Sequence, residues 1–428
     1  MPVVPGFRFD LFISYAHLDD TPWQPGADAW VTEFVNSLRD YLKRAERSVQ
    51  ECFDPKIHTG NDFNLAIREA IYGSAVLLTQ ARVSPNAPRQ GEFNPDPGHS
   101  FPDVNIQVFS NFEGANRGEP TMGLVKSYQS HTQQLTAAHK IMKCMGKAVI
   151  PVLSTLAKQY AVCDRWFSSV PGPSFPNRSF AQAATSIGRV DNSVIGYSAI
   201  PKTIYELLDE NGITARIYCS DSAMAFTFPG LQQKPTFFEK FDRFLESCKK
   251  GHLPAYAFLE PRYSDQLAEN GAPLAANDEH ADHDIAAGEQ LIHDVYQAIR
   301  SNKELWESSI LVITYSQHGG FYDHAVPPDT VSPDGLLADD PGQSVAKAPP
   351  FDFKRLGVRV PAVIISPYIE PGTIDHSVYD HTSVIATARK LFLGKSAATG
   401  YLTQRDGLAD TFDYLLTRAT PRTDNPIP

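Results

Sequence analysis

Four short polar clusters carry the residue types that phosphoryl chemistry uses. They are DPGHS at 96–100, GPSFPNR at 172–178, NDEHADHD at 277–284 and SQHGGFYDH at 316–324. Between them they supply a hydroxyl that can attack phosphorus, an arginine for phosphate oxygens, and imidazoles that stabilise charge and carry protons. This set of side chains favours a phosphoryl-transfer site.

Each cluster taken alone also has a plainer explanation. Histidines and aspartates at the start of a helix are often capping groups and surface side chains. A serine in a proline-rich loop is commonly a turn residue, and the Gly319-Gly320 pair could be only a tight connection. The presence of all four clusters in one chain is what indicates a site.

The elements that must position these clusters alternate between helix and strand. Reactive groups in open parallel sheets collect in loops after the carboxyl ends of strands, and SQHGGFYDH directly follows Ile310–Tyr315. That apolar run and Val360–Ile365 are predicted to be strands buried on both faces. Further strands are predicted at Ile213–Cys219 and Pro254–Leu259, and helices at Pro151–Tyr160, Lys202–Asn211, Phe237–Lys250, Asp284–Arg300 and Ser377–Phe392.

The first 80 residues predict a separate β-α-β-α-β unit with a parallel sheet. Its strands are expected at Phe9–Ala16, Val49–Asp54 and Ala75–Gln80, and its helices at Trp30–Ala45 and Asn64–Ser74. The segment at 84–100 is rich in proline and has no periodicity. We therefore predict two domains, 1–86 and 94–428.

The composition argues against several classes of protein. The chain has 38 Lys and Arg residues and 49 Asp and Glu residues, a net charge of −11, so it lacks the positive charge of nucleic-acid-binding proteins. Hydrophobic residues make up 42% of the chain, which is enough for a buried core. No pair of the five cysteines has C-x-x-C spacing, and the N-terminus shows no leader-like pattern. We expect a cytoplasmic protein without a disulfide framework, a membrane span or a nucleotide cofactor.

A long resemblance to one family runs from Asp96 to about Gly394. The stretches that carry it are DPGHSFPDV, PVLSTLAKQYAVCDRWFSSVPGPSFPNRSF, EPRYSD, NDEHADHDIAAGEQLIHDVY, ITYSQHGGFYDHAVPP and DHTSVIATARKLF. They resemble the phosphoesterase family of bacterial phospholipases C, acid phosphatases and plant non-specific phospholipases C. The resemblance implies an alkaline-phosphatase-like α/β fold, with a mixed or parallel sheet sandwiched by helices. It also implies hydrolysis of phosphomonoesters or phospholipid phosphodiesters.

The same resemblance assigns roles to individual residues. The family's nucleophile lies in a GP[TS]-x-PNR motif, which this chain matches at 172–178. The residues implied are Ser174 as the nucleophile, His280, His283 and His318 as catalytic histidines, and Asn177, Arg178 and His99 as phosphate ligands.

Two departures from the family pattern concern its metal site. The family opens with a strand that runs into Glu-Asn-Arg-Ser-Phe-Asp, a motif that is missing here. After its ITY strand the family has Asp-Glu-His-Gly-Gly, whereas this chain has Ser316 and Gln317 at the two acidic positions. A divalent ion prefers anionic oxygen ligands. We therefore expect metal binding at these two positions to be weak or absent, and hydrolysis to be greatly reduced or absent.

The N-terminal segment resembles a different family, the TIR domain. The matching stretches are DLFISYAHLDD and FDPKIHTGNDFNLAIREAIYGSAVLLTQARVSPN. The helix with the glutamate that NAD-cleaving members use is missing, and Glu92 lies outside that motif. The resemblance implies a partial flavodoxin-like unit, capable of self-association. This unit could also supply the missing first strand of the phosphoesterase sheet, with Asp19 and Asp20 near the carboxyl end of that strand.

Three functions remain open from the sequence. The first is a phospholipase C-like or phosphatase-like hydrolase that is impaired by the lost carboxylates. The second is a catalytically dead, TIR-linked signalling or adaptor protein that binds phosphate or phospholipid head groups. The third is an NAD-cleaving TIR enzyme, against which the missing glutamate argues. Peripheral contact with a membrane is compatible with the first two, and many family members are secreted.

Overall fold

The chain divides into two compact units, Met1–Arg82 and Val83–Pro428. The computed structural model describes residues 9–14, 51–53, 74–79, 93–109, 123–132, 138–193, 199–200, 202–268, 270–338, 350–394, 400–424 and 426. The domains expected at 1–86 and 94–428 stay a prediction.

Three parallel strands form the described part of the first unit. Strand β1 (Phe9–Ser14) lies between β2 (Glu51–Phe53) and β3 (Ser74–Thr79). The three predicted strands are therefore confirmed, although each is shorter than or shifted from its predicted range. The predicted helices lie outside the described residues, apart from Ser74, which begins β3; Asp19, Asp20 and Glu92 also lie outside them.

Helices and strands alternate through the second unit. The helices are α1 (Phe101–Phe109), α2 (Leu124–Thr132), α3 (Pro151–Gln159), α4 (Ser174–Ala183), α5 (Ile204–Glu210), α6 (Pro229–Gln232), α7 (Phe241–Lys250), α8 (Ile285–Arg300), α9 (Lys303–Glu307), α10 (Thr382–Leu393) and α11 (Gln404–Leu408). The strands are β4 (Ala161–Cys163), β5 (Ala215–Cys219), β6 (Phe238–Lys240), β7 (Tyr256–Glu260), β8 (Gln266–Leu267), β9 (Pro273–Leu274), β10 (Leu311–Thr314), β11 (Ala362–Ile365) and β12 (Thr373–Asp375). Across the described ranges, none of these helices is long and apolar enough to span a membrane.

The longer strands of this unit form two sheets. The first has the order β10-β11-β4-β12, in which β11 is antiparallel to both neighbours and β12 is parallel to β4. The second has the order β6-β5-β7 and is parallel throughout. The mixed α/β architecture predicted from the sequence is therefore confirmed.

Local signals in the sequence set the ends of several helices. Asp284 caps α8 by accepting a hydrogen bond from the Ala286 N–H at 2.9 Å, as its position predicts. Gly251 ends α7 at a φ of 69°, a conformation that favours glycine. Helix α7 begins at Phe241 and not at Phe237, because the residues 238–240 pair with β5 as a strand.

The strands β7 and β10 are the edges of their sheets and line the same cavity. Among the described residues, β7 pairs only with β5 and β10 only with β11. Leu259 of β7 and Leu311 of β10 pack in one cluster beneath Phe244 of α7 and Val295 of α8. The cavity has a volume of about 2090 Å³. Because β10 borders this space it is only half-buried, so the prediction of burial on both faces is wrong for 310–315, whereas β11 is fully buried.

Candidate active site

The cavity extends from the edges of β7 and β10 to the loops that carry the polar clusters. Eight of the nine residues singled out from the sequence line it: His99, Ser174, Asn177, Arg178, His280, Ser316, Gln317 and His318. His283 does not line it. The fold therefore brings together side chains that lie more than 200 positions apart in the chain.

Ser174 is half-buried and is the first residue of α4. The amino end of a helix carries a partial positive charge and unpaired N–H groups, which favour an anion. Part of this capacity is already used, because the Phe175 N–H donates to Asn192 Oδ1 at 3.0 Å and Pro176 has no N–H. The Asn177 N–H pairs with the Pro173 carbonyl as the first hydrogen bond of the helix, so the Ser174 N–H is the donor of the first turn that an incoming phosphate could use.

The buried Asn177 side chain holds the turn that presents Ser174. Its Oδ1 accepts from the Val170 N–H at 2.9 Å, and its Nδ2 donates to the carbonyls of Val170, Gly172 and Pro173 at 3.0–3.1 Å. These contacts occupy both Nδ2 hydrogens and one Oδ1 lone pair. Phosphate binding by Asn177 stays a prediction, and its contacts favour a role in positioning the nucleophile loop.

Arg178 lies one turn after Ser174 and is held by a buried acid. Its Nη1 forms an ion pair with Glu260, at the end of β7, and its guanidinium stacks 4.9 Å from the Tyr263 ring centroid. Tyr263 donates its hydroxyl to the same Glu260 carboxylate. Burial lowers the pKa of Arg178, but Tyr263 and Glu260 outweigh that effect and raise it. The guanidinium therefore stays charged in the wall of the cavity.

Two histidines that line the cavity, His99 and His280, lie close to Asp96. His99 and His280 have ring centroids 5.3 Å apart at 81°. Asp96 Oδ2 lies 3.3 Å from His99 Nδ1 and 3.8 Å from His280 Nε2. Burial lowers the pKa of His280, but its hydrogen bond to Asp282 and the charge of Asp96 outweigh this and raise it. Asp96 was not predicted as a site residue, although it begins the DPGHS cluster.

His283 faces away from the cavity towards acidic neighbours. Its Nδ1 lies 2.6 Å from Asp278 Oδ1 and its Nε2 lies 3.7 Å from Asp282 Oδ1. The catalytic role predicted for His283 has no support from this position, and its contacts favour a structural link between the residues before α8.

His318 follows β10 and is held as a neutral imidazole. Its Nε2 lies 2.8 Å from Gln107 Oε1, and the Gln107 Nε2 donates to the Gly98 carbonyl at 2.6 Å. Because the Gln107 oxygen can only accept, His318 Nε2 carries the proton. Burial, together with the nearby His99, lowers the pKa of His318 to about 3. Gly320 is required here, because a Cβ would meet the Gly98 carbonyl oxygen and Pro97 Cβ at 2.8 Å.

Ser316 and Gln317 do not provide the ligands that a divalent ion needs. Both side chains are neutral, and Gln317 Oε1 already accepts from the Gly319 N–H. The Ser316 carbonyl accepts from His381 Nε2 at 2.8 Å. The metal implied by the resemblance therefore does not fit at these two positions.

His381 was missed by the sequence analysis as a site residue. It lines the cavity, its Nε2 donates to Ser316 O, and its Nδ1 lies 3.4 Å from the Trp166 Nε1–H. Burial lowers the pKa of His381, so both ring nitrogens act as those of a neutral imidazole. A signal was present, because Asp380-His381-Thr382 at the start of α10 places a histidine among capping residues.

Glu279 is a second residue that the sequence analysis did not single out. It lines the cavity, its Oε2 accepts from the Tyr315 hydroxyl, and its backbone has a φ of 54°. Burial raises the pKa of Glu279 to about 7, despite the Tyr315 hydrogen bond. The Glu279 side chain packs closely against Gly288 of α8. A Cβ on Gly288 would lie 2.1 Å from the Glu279 Cγ.

Comparison with known proteins agrees with the chemistry of this cavity. A family model described as "Phosphoesterase family" matches residues 71–393. This match starts before Asp96, where the resemblance was expected to begin, and it includes β3 of the first unit. The expectation that the family pattern begins only near residue 94 is therefore wrong.

Two curated relatives and one solved structure show the range of similarity. Non-specific phospholipase C5 of Arabidopsis thaliana is 38% identical over 356 residues, which cover 78% of this chain and 64% of the relative. Phospholipase C B of Mycobacterium tuberculosis is 27% identical over 275 residues, 57% of this chain and 50% of the relative. A protein of the alkaline phosphatase superfamily from Vibrio parahaemolyticus superimposes with a TM-score of 0.33 at 11% identity, over 58% of this chain and 61% of that one, which is too slight to support an argument. The chain thus spans less than two thirds of the length of either relative.

Proposed function

Because the chain belongs to the phosphoesterase family, we propose that it hydrolyses phosphate esters with Ser174 as the nucleophile. The observation that carries this proposal is the placement of Ser174. It is the first residue of α4, one turn before a charged arginine, in a cavity that His99, His280 and His318 also line. A hydroxyl nucleophile, a cation and proton carriers in one cavity are the requirements of phosphoryl transfer.

In this proposal the end of α4 and Arg178 bind the phosphate. The Ser174 N–H and the guanidinium face negative charge as it develops on the phosphate oxygens. Glu260 compensates part of the positive charge of Arg178. Arg178 therefore contributes to phosphate binding mainly through the geometry of its own N–H groups. Asn177 keeps the Ser174 hydroxyl in place through the 170–173 turn.

His280 is the histidine that we assign to proton donation. Its pKa is raised, so the imidazolium is available near neutral pH to protonate a leaving oxygen. His318 and His381 are held neutral by burial and serve to fix the loop after β10. Glu279, with a pKa of about 7, can exchange a proton in the same cavity.

Phospholipids are the substrate class that the relatives favour. The plant and mycobacterial proteins that this chain resembles are phospholipases C by name. We infer phospholipase C-like cleavage between the glycerol and the phosphate, which releases the head group together with its phosphate. Contact with a lipid surface accompanies it. The rate is expected to be low, because Ser316 and Gln317 replace the acids of the family motif. The relatives do not favour the alternative of an adaptor without catalysis.

The TIR-like character of residues 1–86 stays a proposal for the first unit. It is supported by the parallel order β2-β1-β3, in which the first strand is central, as in flavodoxin-like folds. The family match from residue 71 overlaps this segment. Self-association is tested by sedimentation of the full chain over a range of concentrations, and a monomer throughout would contradict it. Cytoplasmic location also stays a prediction.

Hydrolysis of p-nitrophenylphosphorylcholine and of phosphatidylcholine vesicles tests the proposed function. We expect slow turnover that Ser174→Ala reduces more than about 100-fold, because no other group replaces the nucleophile. Ser301→Ala is the matched control, since Ser301 is exposed at the end of α8 and outside the cavity. Equal activity of the parent and Ser174→Ala would exclude Ser174 as the nucleophile.

A further inference from the structure

The loop after β7 places a tyrosine against both members of the ion pair between Arg178 and Glu260. This loop carries the EPRYSD stretch at 260–265, and its Tyr263 lines the same cavity as Ser174. The Arg178 guanidinium lies over the Tyr263 ring, 4.9 Å from its centroid. Burial raises the pKa of Tyr263 well above its usual value of 10, so the hydroxyl keeps its proton and donates it to Glu260.

The ion pair that Tyr263 contacts is joined through a single hydrogen bond. Arginine and carboxylate groups frequently pair through two parallel hydrogen bonds, but here Arg178 Nη1 donates to Glu260 Oε2 alone. The Tyr263 hydroxyl donates to the same Oε2. Glu260 Oε1 and Arg178 Nε are both shielded from solvent and have no hydrogen-bond partner among the described residues. Glu260 therefore occupies one corner of the guanidinium and leaves the rest of its N–H groups unused.

The direction of the Arg178 guanidinium matters for an anion in the cavity. The side chain is 16% exposed and lines the cavity, and no hydrogen bond to Glu260 uses its Nε or its Nη2. A guanidinium binds phosphate through N–H groups that lie in one rigid plane. Whatever fixes that plane therefore determines which N–H groups an incoming phosphate meets.

The backbone of Tyr263 is itself held on two sides. Its N–H donates to Asp221 Oδ2 at 2.8 Å, and Gln266 Nε2 donates to the same oxygen at 3.2 Å. Asp221 follows β5, the parallel neighbour of β7. The Arg262 carbonyl accepts from the Asn277 N–H at 2.9 Å, and Asn277 Oδ1 accepts from the Arg262 N–H in return. The ring of Tyr263 is thus presented to Arg178 from a fixed loop.

We propose that Tyr263 is a positioning residue that orients the Arg178 guanidinium towards a phosphate ester. The inference rests on the proposed function, in which Arg178 binds the phosphate. The Tyr263 ring holds the plane of the guanidinium, and its hydroxyl keeps Glu260 in a single contact with Nη1. The remaining N–H groups of Arg178 stay available to the substrate. Tyr263 acts through Arg178 and needs no contact of its own with the phosphate.

Calorimetric titration of the full chain with inorganic phosphate tests the proposal without requiring turnover. Tyr263→Phe keeps the ring and should weaken phosphate binding about three- to tenfold, whereas Tyr263→Leu removes ring and hydroxyl and should weaken it more than about 30-fold. Tyr414→Phe is the matched control, because the Tyr414 hydroxyl also donates to a carboxylate, that of Asp375, outside the cavity. This control should leave the affinity unchanged.

A double-mutant cycle with Arg178→Gln separates positioning from a general structural effect. If Tyr263 acts through Arg178, Tyr263→Phe should have no further effect on phosphate binding once Arg178→Gln is present. Thermal unfolding shows which variants fold. Should Arg178→Gln not fold, the order of the two Tyr263 variants against Tyr414→Phe decides.

The outcomes distinguish this inference from the proposed function. The role of Tyr263 alone is overturned if Tyr263→Phe and Tyr263→Leu bind phosphate as the parent does, or if Tyr263→Phe weakens binding equally with and without Arg178. A parent chain that binds no phosphate, or an Arg178→Gln variant of unchanged affinity, contradicts the phosphate site of the proposed function and the role of Tyr263 with it.

Discussion

Single side chains in the cavity have protonation states that their neighbours determine. His381 is buried and His318 is half-buried, and each donates one N–H to a fixed acceptor, Gln107 Oε1 for His318 and the Ser316 carbonyl for His381, so both are neutral. His280 lies beside Asp282 and Asp96 and favours the charged form. Ser316 and Gln317 bring no charge to the loop after β10. The most direct changes to this site are therefore those that alter charge at these two positions.

Ser316→Asp combined with Gln317→Glu should create an oxygen-ligand site. Two carboxylates on the loop after β10 supply the anionic oxygens that Mg²⁺ and Ca²⁺ prefer. We expect binding of either ion to tighten at least about tenfold, and hydrolysis of p-nitrophenylphosphorylcholine to increase when the ion is added. Calorimetry and the assay measure the two effects.

The control for that double variant must add the same charge elsewhere. Gln290→Glu with Ser301→Asp does so at two exposed positions of α8 and its C-terminal cap. If the control strengthens ion binding equally, or if the site variant changes nothing, Ser316 and Gln317 do not occupy the positions of metal ligands.

The loop after β10 is the element on which the site depends most. Gly320 packs it against the 97–98 backbone, and Asp323 anchors its far end through two hydrogen bonds to Arg359, at 2.6 and 2.8 Å. Arg359 also donates to the Asp164 carbonyl. Burial raises the pKa of Asp323, but the Arg359 hydrogen bonds outweigh this and hold the pKa below its usual value of 3.8.

Asp323→Asn should make the free energy of unfolding less dependent on pH in the acid range. Because the pKa of Asp323 is lower in the folded chain than in the unfolded chain, the ionised carboxylate stabilises the fold above about pH 4. That contribution is lost as the pH falls through the folded-state pKa. The variant should lower the free energy of unfolding at pH 7 by about 2 kcal/mol and flatten its decline between about pH 5 and pH 2.

Urea unfolding of the variant and the parent at several pH values measures this effect. Asp352→Asn serves as the control, since Asp352 pairs with the exposed Lys354 and both are largely accessible. A decline of equal steepness in the parent and Asp323→Asn would show that the ion pair with Arg359 does not couple to folding.

The second unit as a whole is joined by buried polar contacts between distant segments. Arg405 of α11 is 3% exposed and pairs with Asp380 at 2.9 Å. Its other N–H groups donate to the carbonyls of Val331, Phe353 and Ser169. One side chain thus connects α11 to the loop that precedes Ser174 and to the start of α10.

Arg405→Met should destabilise the protein strongly. Removing one partner of a buried ion pair leaves the other charge uncompensated, which costs about 3–5 kcal/mol. Arg418→Met is the matched control, because Arg418 pairs with a largely exposed Glu370 and such pairs contribute about 0–1 kcal/mol. Thermal and urea midpoints measure the difference. Similar shifts for the two variants would contradict the role given to Arg405.

The sequence determined which residue types are available for the proposed chemistry and where most elements lie. Apolar periodicity located β5, β7, β10 and β11, and capping residues located the start of α8, because these signals act over a few positions. The motif resemblance indicated Ser174 and the phosphoesterase family, because each motif is a short continuous stretch of the chain. None of these signals states which loops meet.

The folded chain decided which of those residues meet and what each can do. Asp96, His99 and His280 meet only in the folded chain, and Gly320 lets the loop after β10 pack against the 97–98 backbone. Phosphate binding by Asn177 stays a prediction, and the contacts of its side-chain amide with the Val170–Pro173 turn became visible only in the folded chain. The neutrality of His318 and the burial of His381 depend on Gln107, Trp166 and the Ser316 carbonyl. Such effects follow from burial and from partners distant in sequence, which local patterns do not encode.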